Sequence, residues 1–352
     1  MPSSRSFSKR AVVKRLPPSI AAVCIACAAI YTQAQPASPG PPATQIVRVW
    51  AFDGLSAQLL RWESEYSALH PEVRFDNQLH GAAAVMAGLY DGVADVALMG
   101  REIWPVETMA YQWVYQQQPF GVIVATAGLH APGQLFTPVV IVNAKHPLAS
   151  ISLSQLDAIY GSEHRFAPAN IRTWGDLGLT GPWADKPIHP YGFGGEDALG
   201  VFFRHDVLRS DFKPNPASHL LSDHDDATVS APQRIAQAVA ADPYAIGYTS
   251  MPSGSVTKAL LLASPSPVQA TDDALSDHRY ALTRSVWLYF HRTPAKPLDP
   301  KVDNFVRFLL TPQAQALVRP ADQLLPLTPD LQQKQIEKLD KPMPKSASAQ
   351  EE

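Results

Sequence analysis

Between Ile46 and Met99 short apolar runs alternate with stretches of helical spacing, and this alternation restricts the fold more than any other feature. IVRVWAF (46–52) reads as a strand. Residues 56–69 carry apolar side chains at three- and four-residue intervals, Pro71 ends them, and VRF (73–75) follows as a strand. Residues 82–90 read as a small-residue helix and ADVALM (94–99) as a third strand. Strands separated by helices return in the same direction, so the pattern predicts an α/β fold with doubly wound parallel sheets.

The pattern continues with strands at FGVIVA (120–125), PVVIV (138–142), 188–191, AIGYTSM (245–251) and SVWLYFH (285–291). Helices are expected at 152–160, from a glycine-rich loop to about Leu208, at 232–241, and in one run over 300–317. Residues 331–352 turn polar and are expected to be a disordered tail.

The first 34 residues read differently. Arg5, Lys9, Arg10, Lys14 and Arg15 precede an apolar stretch, Ile20–Ile30, that is shorter than the about 20 residues a membrane span needs. Thr32-Gln33-Ala34 offers a small-residue cleavage site, so 1–34 reads as a secretory signal and the chain as exported to the periplasm. Residues 35–44 (QPASPGPPAT) read as a Pro-rich linker. Both cysteines, Cys24 and Cys27, fall inside the signal. The remainder can then form no disulfide, thiolate nucleophile or zinc–cysteine site. It keeps 24 basic and 32 acidic residues, a net charge of −8 against −3 for the whole chain. That balance excludes a basic nucleic-acid surface. HLLSDHDD (219–226) has acids and imidazoles but no metal-ligand spacing, and reads as a solvated loop. No catalytic triad, phosphate-binding loop or dinucleotide fingerprint is present, so no cofactor and no enzyme activity are expected.

YGFGGEDALGVFF (191–203) places four glycines before an apolar helical run. Such a turn suits an anion, because free N–H groups and the helix dipole converge on it. Here Glu196 and Asp197 occupy the place of the anion. Each also suits the start of a helix on its own account.

Three further blocks carry a resemblance. They are SLSQLDAIYGSE (152–163) with RTWGDLG (172–178), RIAQAVAADPYAIGYTSM (234–251), and PLDPKVDNFVRFLLTPQAQALV (297–318) with LLPL (324–327). In this order they resemble the phosphate-binding (PstS-like) periplasmic substrate-binding proteins of ABC transporters. The resemblance covers about 46–328 and implies the two-lobe type II periplasmic-binding fold, its sheets joined by crossing strands. It implies one lobe from 45–125 plus 254–330, a second from 126–253, and a hinged cleft between them.

The family holds phosphate through four segments rich in hydroxyls, with one Arg and one Asp. Its hydroxyl segment after the first strand matches Ala51-Phe52-Asp53-Gly54. Its Gly-Ser-Ser segment matches Gly81-Ala82-Ala83-Ala84, and its Ser-Ser-Arg or Ser-Asp segment matches Met99-Gly100-Arg101. In the glycine loop the family's Arg, Ser and Thr become Phe193, Asp197 and Leu199. The resemblance therefore implies ligand-binding positions at Asp53, Gly54, Ala83, Gly100, Arg101, Phe193, Glu196 and Asp197, with phosphate coordination lost. Each lost charge-assisted hydrogen bond removes about 1.5–3 kcal/mol. Carboxylates beside Trp50, Phe52, Phe193 and Trp104 would suit a cationic or zwitterionic solute. The expectation is a monomeric solute-binding protein, with ABC transporter membrane subunits as candidate partners. The alternative is an envelope scaffold that has lost its ligand.

Overall fold

Alternating burial along Gln45–Phe52 (β1) puts Val47, Val49 and Ala51 fully inside, so the strand lies with one face on a core. The structure, a computed structural model, describes residues 44–342 except 131–134, 164, 210–212, 227, 252–254, 295 and 321–322. The expected signal, nearly all of the linker and residues 343–352 lie outside the described residues. Helix α1 (Ser56–Leu69) follows over the predicted span and buries Leu59, Trp62 and Tyr66 at helical spacing. The Trp62 indole N–H donates to the Ala314 carbonyl (3.0 Å), which ties this helix to the C-terminal region. Strand β2 (Val73–His80) runs longer than predicted and pairs parallel with β1 over its full length. Of the expected 82–90 helix only α2 (Ala87–Tyr90) forms. Strand β3 (Val96–Met99) then pairs parallel with β1 on its other side. Helix α3 (Pro105–Tyr115), which the sequence reading did not predict, leads to β4 (Phe120–Ala127).

The chain next crosses into a second sheet. Its order is β10-β5-β9-β7-β8, built from β5 (Val139–Asn143), β7 (His189–Phe193), β8 (His219–Leu221), β9 (Ala245–Thr249) and β10 (Thr257–Ala259). Short strands β6 (Ser150–Ser152), β11 (Leu261–Ala263) and β12 (Pro267–Val268) make a third, small sheet. Helix α4 (Leu153–Tyr160) starts at a reciprocal cap: Gln155 N–H donates to Ser152 Oγ, and Ser152 N–H to Gln155 Oε1. Helix α5 (Ala198–Asp206) leaves the glycine loop, and α6 (Ala231–Ala241) precedes β9. Because β10 pairs with β5, the chain remains with the second sheet beyond the expected return at 254.

After helix α7 (Asp272–Ser276), β13 (Ser285–Phe290) re-enters the first sheet, whose order is β14-β4-β13-β3-β1-β2. β13 is antiparallel to both neighbours, so this sheet is mixed rather than wholly parallel: the returning strand arrives from the opposite end. The expected helix over 300–317 is two, α8 (Pro300–Leu309) and α9 (Pro312–Gln315), because Pro312 has no N–H with which to continue the first. β14 (Leu324–Leu325) closes the sheet edge. Residues 331–340, expected to be disordered, lie within helix α10 (Pro329–Asp340). It docks by apolar and polar contacts together: Leu339 joins the core, Leu331 and Ile336 pack against it, Gln335 accepts from Ile123 N–H (3.0 Å) and Arg307 reaches Asp340 (2.8 Å). No helix among the described residues is long and apolar enough to cross a membrane.

Candidate cleft site

Ligands of open α/β sheets sit at the carboxyl ends of strands. There, the structure holds a cavity of about 160 Å³ lined by Phe52, Ala82, Gly100, Arg101, Leu135, Ala198 and Arg284. Phe52 ends β1, Gly100 and Arg101 follow β3, Ala198 opens α5, and Arg284 immediately precedes β13. Leu135 and Arg284 come from the two segments that cross between the sheets. These segments are stitched together. Ala127 N–H donates to the Arg284 carbonyl (2.9 Å), and Arg284 N–H donates to Thr137 Oγ1 (3.1 Å).

Two buried arginines dominate the cavity's electrostatics. Arg101 is 4% exposed and engaged within the protein. Its guanidinium forks onto Glu107 (2.8 and 2.7 Å), donates to the Ala82 and Glu102 carbonyls (2.9 Å each) and stacks 3.7 Å above Trp104. Glu107 also accepts from Trp104 N–H (2.7 Å) at the start of α3. The unpredicted helix therefore delivers the partner that neutralises Arg101. Arg284 is 3% exposed; its guanidinium reaches the Gly100 and Phe136 carbonyls at 3.4 and 3.5 Å. Burial first, and the neighbouring Arg101 second, push it down to about 10, with Asp206 pulling more weakly the other way. The sequence reading did not select Arg284.

Of the eight expected positions, Gly100 and Arg101 line this cavity. A Cβ on Gly100 would lie 2.3 Å from Leu135 Cδ1, so Leu135 fills the space where the resemblance implied an acid. The other six do not line it. Asp53 and Gly54 are exposed in a tight turn, where the Asp53 carboxylate accepts from Gly54 N–H (2.7 Å) and faces outward. Ala83 is exposed beside Ala82, which does line the cavity. Phe193 is a core residue, 2% exposed, with its ring near Phe136 and Tyr248 (6.4 and 5.7 Å). Glu196 is exposed, and Asp197 is 6% exposed at the N-cap position of α5. Trp50 packs against His80 (4.0 Å) and Trp104 covers Arg101, leaving Phe52 as the aromatic wall. The expected ring of carboxylates does not form, and the cavity presents arginine and hydrocarbon.

Three N–H groups of the glycine loop are spent internally. Phe193 N–H donates to Tyr248 Oη, Gly194 N–H to the Leu221 carbonyl and Asp197 N–H to the Gly194 carbonyl. Gly200 serves packing, since a Cβ there would stand 1.8 Å from the Gly194 oxygen. Outside the cavity, Glu102, His205 and Asp206 gather with ligand atoms within 4.8 Å, the one such grouping among the described residues. Burial raises both carboxyls, and Asp206 adds to the rise at Glu102. The grouping could accept a metal ion, but its side chains are exposed or half-exposed and His205 already contacts Asp206 (3.4 Å).

A PBP superfamily domain matches residues 49–313. The phosphate-binding protein PstS of Pseudomonas aeruginosa is 28% identical over 290 residues, covering 82% of this chain and 84% of that protein. Among solved structures, PstS from Borrelia burgdorferi superposes with a TM-score of 0.56 at 16% identity, covering 81% of this chain and 99% of that one. An ABC-type phosphate transport receptor from Vibrio cholerae gives 0.51 at 19%, covering 79% and 99%. These likenesses bear out the two-lobe periplasmic-binding fold. The chain belongs to the PBP superfamily.

Proposed function

We propose that this chain is an exported, monomeric solute-binding protein that holds a small solute between its lobes and presents it to a membrane transporter or a sensor. The reading draws on the likeness to phosphate-binding proteins of transport systems and on the periplasmic destination expected from the first 34 residues. It is a binding role, not an enzymatic one. The carrying observation is the cavity at the carboxyl ends of β1 and β3, walled also by Ala198 of α5, which follows β7 of the second sheet, and by both crossing segments. Specificity has moved away from phosphate, because Ala82, Gly100 and Ala198 give its walls no side-chain hydroxyl. Thermal unfolding of ligand-stripped protein against a metabolite library tests the reading. A solute that binds the native state raises the melting temperature by mass action. A flat profile across the whole library would favour a scaffold that keeps the fold without a ligand.

A further inference from the structure

We infer that the solute of this cavity is a small uncharged molecule with a mostly hydrocarbon body, of about single-ring size. The inference rests on the solute-binding reading above and adds the ligand class.

Charge sets the first constraint. Three positive features meet at the cavity: Arg101, Arg284 and the amino-terminal end of α5, which opens at Ala198. Each has a carboxylate of the protein to answer it. Glu107 takes Arg101 in a two-bond fork, and together with the Ala82 and Glu102 carbonyls it occupies the four N–H groups at the two ends of that guanidinium. Arg284 has partners within the protein too, the Gly100 and Phe136 carbonyls among them, and it and Asp206 attract each other. Asp197, 6% exposed, holds the N-cap position of α5, where a carboxylate balances the positive end of the dipole. An anionic solute would have to compete with these acids for donors they already engage. A cationic solute would face two guanidinium groups. Burying either charge without a partner of its own is costly, and an uncharged solute avoids both penalties.

Wall chemistry and size set the second. The side chains of Phe52, Ala82, Leu135 and Ala198 give the cavity hydrocarbon walls. Water against such walls finds few partners, so a hydrocarbon group that displaces it is favoured. The cavity of about 160 Å³ is close to the about 150 Å³ at which an apolar cavity takes up one benzene-sized molecule. The Phe52 ring adds a surface on which an aromatic solute packs well. Leu135 sets the depth, since it occupies the space over Gly100.

The test uses purified protein, unfolded and refolded to remove bound solute, with thermal unfolding and calorimetry. Benzyl alcohol is the uncharged probe. Benzoate and benzylammonium carry the same ring with a negative and a positive charge, and phosphate is the inorganic comparison. The expected result is saturable binding of benzyl alcohol, at least about tenfold tighter than either charged ring compound. Leu135→Phe should weaken benzyl alcohol at least about tenfold by filling the depth of the cavity. Asp206→Asn removes an acid that answers Arg284 without altering the walls, and keeps the proposal testable if the leucine variant does not fold. It should strengthen benzoate several-fold; an unchanged benzoate affinity would overturn the charge argument. Preferential binding of benzoate, benzylammonium or phosphate by the unmodified protein would overturn the ligand class while leaving the solute-binding reading intact. Binding of none of the probes would also overturn the ligand class, and the library screen would then decide the broader reading on its own.

Discussion

Separating Arg101 from Glu107 tests whether Arg101 is held by the fold or held ready for solute. Their side chains are 4% and 8% exposed and joined by fork bonds of 2.7 and 2.8 Å. Exposure is low enough that solvent screening gives little relief. Removing one partner of such a pair strands the other and costs about 3–5 kcal/mol. Arg101→Met would leave the Glu107 carboxylate with Trp104 N–H as its remaining donor among the bonds described above. Glu107→Gln would leave the Arg101 guanidinium against two carbonyls and the Trp104 ring. Urea unfolding at neutral pH should show a loss of about 3–5 kcal/mol for each single change. Arg101→Met with Glu107→Leu should recover most of it, giving a large coupling energy in the double-mutant cycle. A loss under about 1 kcal/mol for Arg101→Met, with solute-induced stabilisation abolished, would refute the structural assignment of this arginine.

Three further outcomes follow from the same packing. Glu63, 5% exposed on α1 with Asn77 donating to it at 2.7 Å, is pushed up to about 7 by burial. The native state then keeps a proton that the unfolded chain releases above about pH 4.5, so stability falls as pH rises through that window. Relative to Glu63→Gln, the native protein should lose about 2–3 kcal/mol between pH 5 and 8 in urea unfolding; parallel profiles would contradict this. Gly200→Ala should cost about 1–3 kcal/mol through its clash with the Gly194 carbonyl, read as a lower denaturation midpoint. Phe193→Ala should cost about 3–5 kcal/mol by opening the core beside Tyr248 while leaving solute affinity within a few-fold; loss of affinity in folded protein would return Phe193 to the binding site.

The alternation that suggested the α/β fold was sound where burial follows the residue pattern, as in α1, where Leu59, Trp62 and Tyr66 are buried at helical spacing. It failed at α3, where Tyr111 is buried while Val106, Met109, Trp113 and Val114 are exposed, so apolar spacing does not report the inward face. It failed at α10 because that helix is mostly polar, with only Leu331, Ile336 and Leu339 packing on the core, and is also held by contacts such as Gln335 to the β4 backbone. The site was less legible than the fold. Matching segment by segment located Gly100 and Arg101, but side-chain direction depends on turn geometry that a match does not carry. Asp53 and Glu196 are exposed, and Phe193 packs in the core. Arg284 sits in ALTRS, a stretch without a local signature, and enters the cavity because a crossing segment returns past Thr137. Glu107 could have been found only by predicting α3.

The central claim is that the family scaffold is retained while its phosphate chemistry is gone. Calorimetric titration of inorganic phosphate into ligand-stripped protein tests it most directly. No saturable heat at micromolar phosphate is the outcome expected of a cavity walled by Phe52, Ala82, Leu135 and Ala198. A tight one-to-one isotherm would contradict it.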